Sequence, residues 1–400
     1  MPSTKSLPPI WFIGLAVLPF GMFGALTLIT VPQLLEARHV PETVIAGITS
    51  FAMIPGFTCF LLAPILDVHF SRRSYALVLG VAAAILGFVA LEHLTDIKLL
   101  STLLFLGFFC SQMFVTALGG WFGSIVPDDL SSPLGAWFAV GNTGGFGVGA
   151  ITIITLLRVL PGTLGHVLIA LLLIAPLAML PFIPAPQNDR MLLHESFRTL
   201  FRDLVALVKQ RIVLRTLFLF CLPAASFALT NTLGGLGDDF HASETFVATL
   251  SGTAVLAASV FGNLIVPKIT RYISARLLYL TIGSVGALFT LSLIGMPRVP
   301  LVYAIALIGQ NVFQSAAFTV ENTIVFQSIG EGNPLASTQF AFLGAAAALP
   351  IVYMQAVDGH AYGMGGMTGT FAADALISLA ACTLLLPFVL HWRRKKALTA

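Results

Sequence analysis

Apolar runs of about 20 residues recur along this whole sequence, separated by short polar connectors. Each run is long enough for one helix to cross the hydrocarbon core of a bilayer. Lipid offers no water to backbone N–H and C=O groups, so only helices or closed barrels can span it. Barrel strands alternate apolar and polar residues over about 10 positions, and these runs do not alternate. Of 400 residues, 57% are hydrophobic and 9% charged, against about 25% charged in a soluble domain. Such a chain has too little charge to solvate a globular surface, and the expected class is an all-α polytopic membrane protein.

The pattern predicts twelve spans, over 10–35, 43–66, 75–92, 99–123, 134–157, 164–185, 214–236, 245–267, 276–296, 299–327, 335–357 and 368–391. Their direction follows from the Lys and Arg of the connectors. With a cytoplasmic N-terminus, Arg38, Lys98, Arg158 and Arg298 lie outside, and the other 16 of the 20 Lys and Arg residues lie inside. That bias predicts a multi-pass protein of the cell inner (plasma) membrane with both termini cytoplasmic. The longest connector divides the chain into an N-terminal six-helix bundle (1–185), a linker (186–213) and a C-terminal six-helix bundle (214–400). Within the linker, Phe197, Leu200, Phe201, Leu204, Leu207 and Val208 recur at helical spacing, which predicts an amphipathic helix on the cytoplasmic surface.

The two halves resemble each other. "LPFGMFGALT" (18–27) matches "LPAASFALT" (222–230) with one gap, "HVPETVIA" (39–46) matches "HASETFVA" (241–248), and "RSYALVLG" (73–80) matches "RLLYLTIG" (276–283). Further on, Gly107 and Gln112 match Gly309 and Gln314, all at an offset near 202. Six spans return the chain to the same side, so the repeats are parallel. This resembles the major facilitator architecture, which implies a substrate site near mid-membrane between two bundles that rock to alternate access.

The connector "LLAPILDVHFSRRSYALVLG" (61–80) resembles the charged loop of major facilitator carriers, G-x-x-x-D-R-x-x-R-R. Asp67, Arg72 and Arg73 keep the acid and the basic pair; Val68 stands where the first Arg would be. Two readings fit. The acid latches to the arginines and a neighbouring bundle in one rocking state and biases the equilibrium, or the arginines only anchor a cytoplasmic loop. The second-half copy, "PKITRYISAR" (267–276), has Lys268, Arg271 and Arg276 but no acid. Asp67, Arg72, Arg73 and Arg276 are therefore the candidate gating residues.

A narrower resemblance covers "PGFTCFLLAPILDVHFSRRSY" (55–75) and "STQFAFLGAAAALPIVYMQAVDGHAYG" (337–363). Both are similar to segments of the AmpG-like muropeptide permeases and the related acetyl-coenzyme A transporters. Siderophore-uptake permeases belong to the same broad group. The family's Lys in span 2 is Cys59 or Phe60 here, and its T-Q-D in span 4 is Ser111, Gln112 and Met113. The resemblance therefore implies a related carrier and leaves its cargo open.

Ionisable groups inside a membrane are costly and mark function. The eight histidines fall in connectors or at span ends, and two acids, Glu321 and Asp374, fall within spans. Span 10 reads "ALIGQNVFQSAAFTVENTIVF". At about 100° per residue, Gln310, Asn311, Gln314, Glu321 and Asn322 share roughly one third of its circumference. Such a stripe must face protein or water. Glu321 is suited either to proton coupling or substrate contact, or to a structural bond with a neighbouring helix. The other spans that line the cavity in this architecture supply Gln33, Gln112, Thr116, Trp121 and Asn231, and Asn142 of span 5 joins them as a candidate substrate contact. Asp374, near the outer end of span 12, reads as a snorkelling or packing residue. "GNTGGFGVGA" (141–150) has no preceding strand and reads as a helix-packing face.

No Walker A, H-E-x-x-H, G-x-S-x-G or D-D-x-x-D pattern occurs, so no enzyme is expected. The four cysteines, Cys59, Cys110, Cys221 and Cys382, lie in apolar runs without metal-ligand spacing. No cofactor, metal or nucleic acid is expected. The expected activity is proton-coupled import of a small organic solute, muropeptide-like or siderophore-like, by a monomer in the lipid bilayer. An efflux carrier and a non-transporting receptor on the same fold stay open.

Overall fold

The computed structural model describes residues 7–160, 162–185, 202, 205–250 and 255–399, without the side chains of 234, 244, 248 and 393–399. The predicted amphipathic helix falls largely on residues 186–201 and 203–204, outside the described residues.

Among the described residues, nine helices are long and apolar enough to cross a membrane. In chain order, α1 is Ile10–Glu36, α2 Glu42–Leu61, α3 Arg72–Glu92, α4 Ile97–Ile125, α5 Asp128–Val159, α6 Gly162–Phe182, α9 Ala275–Ile294 and α10 Pro300–Ile329. The ninth, Ala336–Trp392, is two spans divided at Gly366, whose φ of 59° breaks the helix. These are α11 (336–365) and α12 (367–392). The seventh span is interrupted, and the eighth is described on either side of residues 251–254. Helix α7 covers only Arg211–Phe220, and α8 comprises Glu244–Thr249 and Val255–Ile269. Large apolar side chains such as Val78, Ile85, Ile151, Leu288 and Leu384 point outward, as a bilayer requires. The protein is an all-helical, multi-pass membrane protein.

The predicted continuous helix over 214–236 is absent. Pro223 has no N–H to donate and disfavours a helical residue before it, and the helix stops at Phe220. Single 3-10 turns follow at Ala228–Asn231, Leu233–Leu236 and Asp238–Phe240, after a left-handed Phe227 (φ 46°). Side chains satisfy the carbonyls freed by this break. Tyr353 Oη donates to Cys221 O (2.9 Å), Cys382 Sγ to Ala224 O (3.3 Å) and Thr230 Oγ1 to Phe227 O (2.7 Å).

Helix starts follow their sequence signals. Ser71 accepts from Ser74 N at the head of α3, and Asp96 from Lys98 N and Leu99 N at the head of α4, filling the orphan donors of a first turn. The repeat is visible in the backbone: His39 and His241 are both left-handed, and helices begin at Glu42 and Glu244, three residues beyond each.

The chain forms two compact units, residues 1–209 with 329–342, and 210–328 with 343–400. The first is cored by Phe23, Leu26, Ile48, Ala84, Leu104, Phe108 and Leu173. The second is cored by Leu233, Phe240, Leu293, Tyr303, Leu307 and Phe371. In the first unit α1 and α5 touch backbone to backbone, as the glycine-rich stretch predicts. A Cβ on Gly21 would lie 2.0 Å from Asn142 O, and one on Gly145 2.4 Å from Leu18 O, whereas Gly144 faces open space. Gly21→Val and Gly145→Val are each expected to destabilise the purified protein by about 1–3 kcal/mol, while Gly144→Ala is neutral or stabilising. Thermal unfolding in detergent checks the contrast.

Candidate functional site

The polar stripe of α10 faces protein within the second unit. Gln310 donates from Nε2 to Thr290 Oγ1 of α9 (2.5 Å), and its Oε1 is buried with no partner. Asn311 donates to Leu307 O (2.8 Å). Gln314 donates to Thr230 Oγ1 (2.5 Å) and more weakly to Phe227 O (3.4 Å), so its amide supports the break in the seventh span. Thr319 donates to Asn263 Oδ1 of α8 (3.0 Å). Glu321 is 9% exposed, and its partner is the fully buried Tyr279 hydroxyl of α9. Among the described residues no Lys or Arg forms an ion pair with it. A carboxyl group so placed meets one neutral hydrogen-bonding partner and no counter-charge.

A second constellation lies in the first unit. Asp67 is fully buried and Arg72 2% exposed. Asp67 Oδ1 accepts from Arg72 Nε (2.9 Å) and Ser337 N (3.1 Å); Oδ2 accepts from Thr338 N (2.8 Å) and Thr338 Oγ1 (2.7 Å). Ser337 and Thr338 are the second and third residues of α11, whose N–H groups have no partner inside the helix. The residue before that helix is Leu335, which has no capping side chain. Asp67 therefore caps α11 from a distant part of the chain, with the helix dipole favouring its charge. Arg72 Nη2 reaches Asn333 O (3.1 Å) and Pro334 O (2.7 Å) in the same connector. Asn333 holds the turn, accepting from Leu335 N and donating to Ile329 O and Gln339 Oε1.

No family model matches the chain, and neither does any curated protein sequence. Solved structures do match. The human organic anion transporter MFSD10 aligns with a TM-score of 0.73 at 15% identity, over 94% of this chain and 100% of that one. The E. coli fucose:proton symporter FucP gives 0.72 at 15% identity, over 95% and 98%. The proton:xylose symporter XylE, of the major facilitator superfamily, gives 0.69 at 11% identity, over 95% and 96%. The chain has the major facilitator fold. At these identities the likeness is one of architecture, and the narrower resemblance to muropeptide permeases gains nothing from it.

Within this major facilitator fold the remaining candidates are spread over both units. Gln33 of α1 and Asn231 of the broken seventh span are exposed, and Gln112 of α4 and Asn142 of α5 are half-buried. Thr116 is buried and donates back to Gln112 O (2.8 Å). Trp121 is wholly buried, donating from Nε1 to Pro184 O (2.9 Å) beneath the Arg73 guanidinium, 5.2 Å from its ring centroid. Arg73 also donates to Ile183 O. Arg276, at the matching repeat position, lies in the electrostatic field of Arg215, with no acid in the place of Asp67.

Three features escape the sequence. The backbone donors of Ser337 and Thr338 carry no side-chain signature. Tyr279 reads as one more apolar residue of its span. Asp358 falls in the connector after a span expected to end at 357, because "GHAYGMGGMTG" reads as a loop; α11 instead continues to 365 and buries that acid. Asp374 does not snorkel: it is 4% exposed.

Proposed function

We propose that this chain is a secondary carrier, not an enzyme, that imports a small organic solute across the inner membrane by alternating access, with a proton as coupling ion. The buried Glu321, with a tyrosine partner and no counter-cation, carries this reading, because a carboxyl group inside a membrane helix is retained for a use. The fold supports it: two of the similar structures are proton-coupled sugar symporters and the third an organic anion transporter. The proposed solute contacts are the stripe members Gln310, Asn311 and Gln314 with Gln33, Gln112, Asn142 and Asn231. Thr116 and Trp121, whose polar atoms are already bonded, shape the site. The proposed gate is Asp67 with Arg72, which hold the connector between α10 and α11. Arg73 is clamped on Trp121, and Arg276 is the counterpart lacking an acid. The bias of Lys and Arg to one side supports cytoplasmic termini.

The test is uptake of labelled muropeptides, ferric siderophores and peptides into proteoliposomes under an imposed pH gradient. One pH unit is worth about 1.4 kcal/mol per proton, so a one-proton symporter concentrates its solute roughly tenfold under that gradient. A solute that equilibrates without regard to the gradient removes the coupling. Active export would make the protein an efflux carrier. Binding without flux would make it a receptor.

A further inference from the structure

Helix α11 from residue 343 onward forms a hairpin with α12 about Gly366 inside the second unit. They touch closely, since a Cβ on Gly369 would lie 2.5 Å from Ala361 O. The Thr370 hydroxyl donates to Asp358 O (3.1 Å), tying the first turn of α12 to the last turns of α11. Asp374 stands one helical turn beyond Thr370 and so on the same face of α12. Asp358 is 1% exposed and Asp374 4%, and the two carboxyl groups are close enough to interact electrostatically. Neither oxygen of Asp358 has a hydrogen-bond partner, and neither has Oδ1 of Asp374. Three carboxyl oxygens are thus shut away from solvent without a protein donor, which disfavours ionisation of both groups.

Among the described residues no Lys or Arg forms an ion pair with either acid. Met367 and Phe371 of α12 pack with Tyr303 of α10, Phe240 and Leu293 in one apolar cluster. Arg298, Tyr362, Asp239 and His360 lie at the exposed rim of the hairpin. Arg298 donates to Thr368 Oγ1 (3.0 Å), Tyr362 Oη donates to Asp239 Oδ2 (3.0 Å), and His360 is exposed. Tyr303 of α10 is the buried titratable residue of that apolar cluster.

We infer that Asp358 and Asp374 form a proton-binding pair, holding one proton between their carboxyl groups, separate from Glu321 and assigned by nothing in the fold. A proton held by the pair removes one of two like charges. Two carboxylates in one apolar site cannot both stay ionised. A metal ion fits less well. A hard cation takes about six or more oxygens, and two carboxyl groups supply at most four. No cluster of three His, Cys, Asp or Glu residues occurs among the described residues.

Infrared difference spectroscopy on the purified full-length protein, between neutral and alkaline pH, tests this without any transport assay. The wild type is expected to show a protonated-carboxyl C=O band that disappears at alkaline pH. Asp358→Asn with Asp374→Asn is expected to lose that component, and Glu321→Gln to keep it. If the double variant is not recovered as a monodisperse protein, Asp374→Asn alone reads the same point, because it must shift or remove the band. A band unchanged in these variants overturns the proposal. A melting temperature raised by sodium, magnesium or calcium ions in the wild type alone also overturns it, in favour of a metal site.

Discussion

Asp67→Ala is expected to lower the stability of the purified protein by about 3–5 kcal/mol and to cripple turnover. The carboxylate accepts four hydrogen bonds, two from backbone N–H groups at the start of α11, one from Thr338 Oγ1 and one from the Arg72 guanidinium. Its removal leaves Arg72 buried at 2% exposure without a counter-charge, and breaking a buried pair from one side costs about that much. Asp67→Asn is no rescue, because its amide offers N–H groups to sites that are already donors. Arg72→Ala is expected to cost less, since three donors to Asp67 survive. Thermal unfolding in detergent gives the order. Flux in proteoliposomes is expected to slow with solute preference unchanged. An Asp67→Ala protein of wild-type stability and turnover would reduce this connector to a topology signal.

Glu321→Gln is expected to abolish accumulation while leaving counterflow exchange. Glutamine keeps the shape of the side chain and can still meet the Tyr279 hydroxyl, but it cannot release and rebind a proton. The solute ratio should fall from roughly tenfold per pH unit to unity, while exchange of labelled for unlabelled solute continues. Tyr279→Phe separates position from chemistry: it removes the partner and leaves the acid, so accumulation should persist with altered pH dependence. Full accumulation in Glu321→Gln would mean that the acid is structural.

The fold was legible because bilayer length and backbone self-satisfaction leave few options for an apolar run. The α1–α5 contact was legible for a similar reason, since only glycine lets backbones approach to the distance found at Gly21 and Gly145. The stripe on α10 was legible as a stripe, but not in its partners, because Thr290, Thr230 and Tyr279 lie on other segments and signal nothing alone. The continuous seventh helix was misread: hydropathy averages over Pro223 and does not register the hydrogen bonds it removes. Asp358 was missed because glycines that permit close helix contact have the same composition as a loop. Asp67 stood out by charge, whereas its capping of α11, some 270 residues away, depends on tertiary geometry.

The interrupted seventh segment bears on biogenesis. Its carbonyls rely on Tyr353 from α11 and Cys382 from α12, which leave the ribosome well over 100 residues after it. A ten-residue helix followed by irregular backbone cannot rest stably in lipid by itself. Residues 221–231 must therefore wait in a sheltered, partly hydrated place until the C-terminal hairpin arrives. Nascent chains that stop short of α12 should accordingly be held by the insertion machinery or degraded, even though their first six helices are already complete.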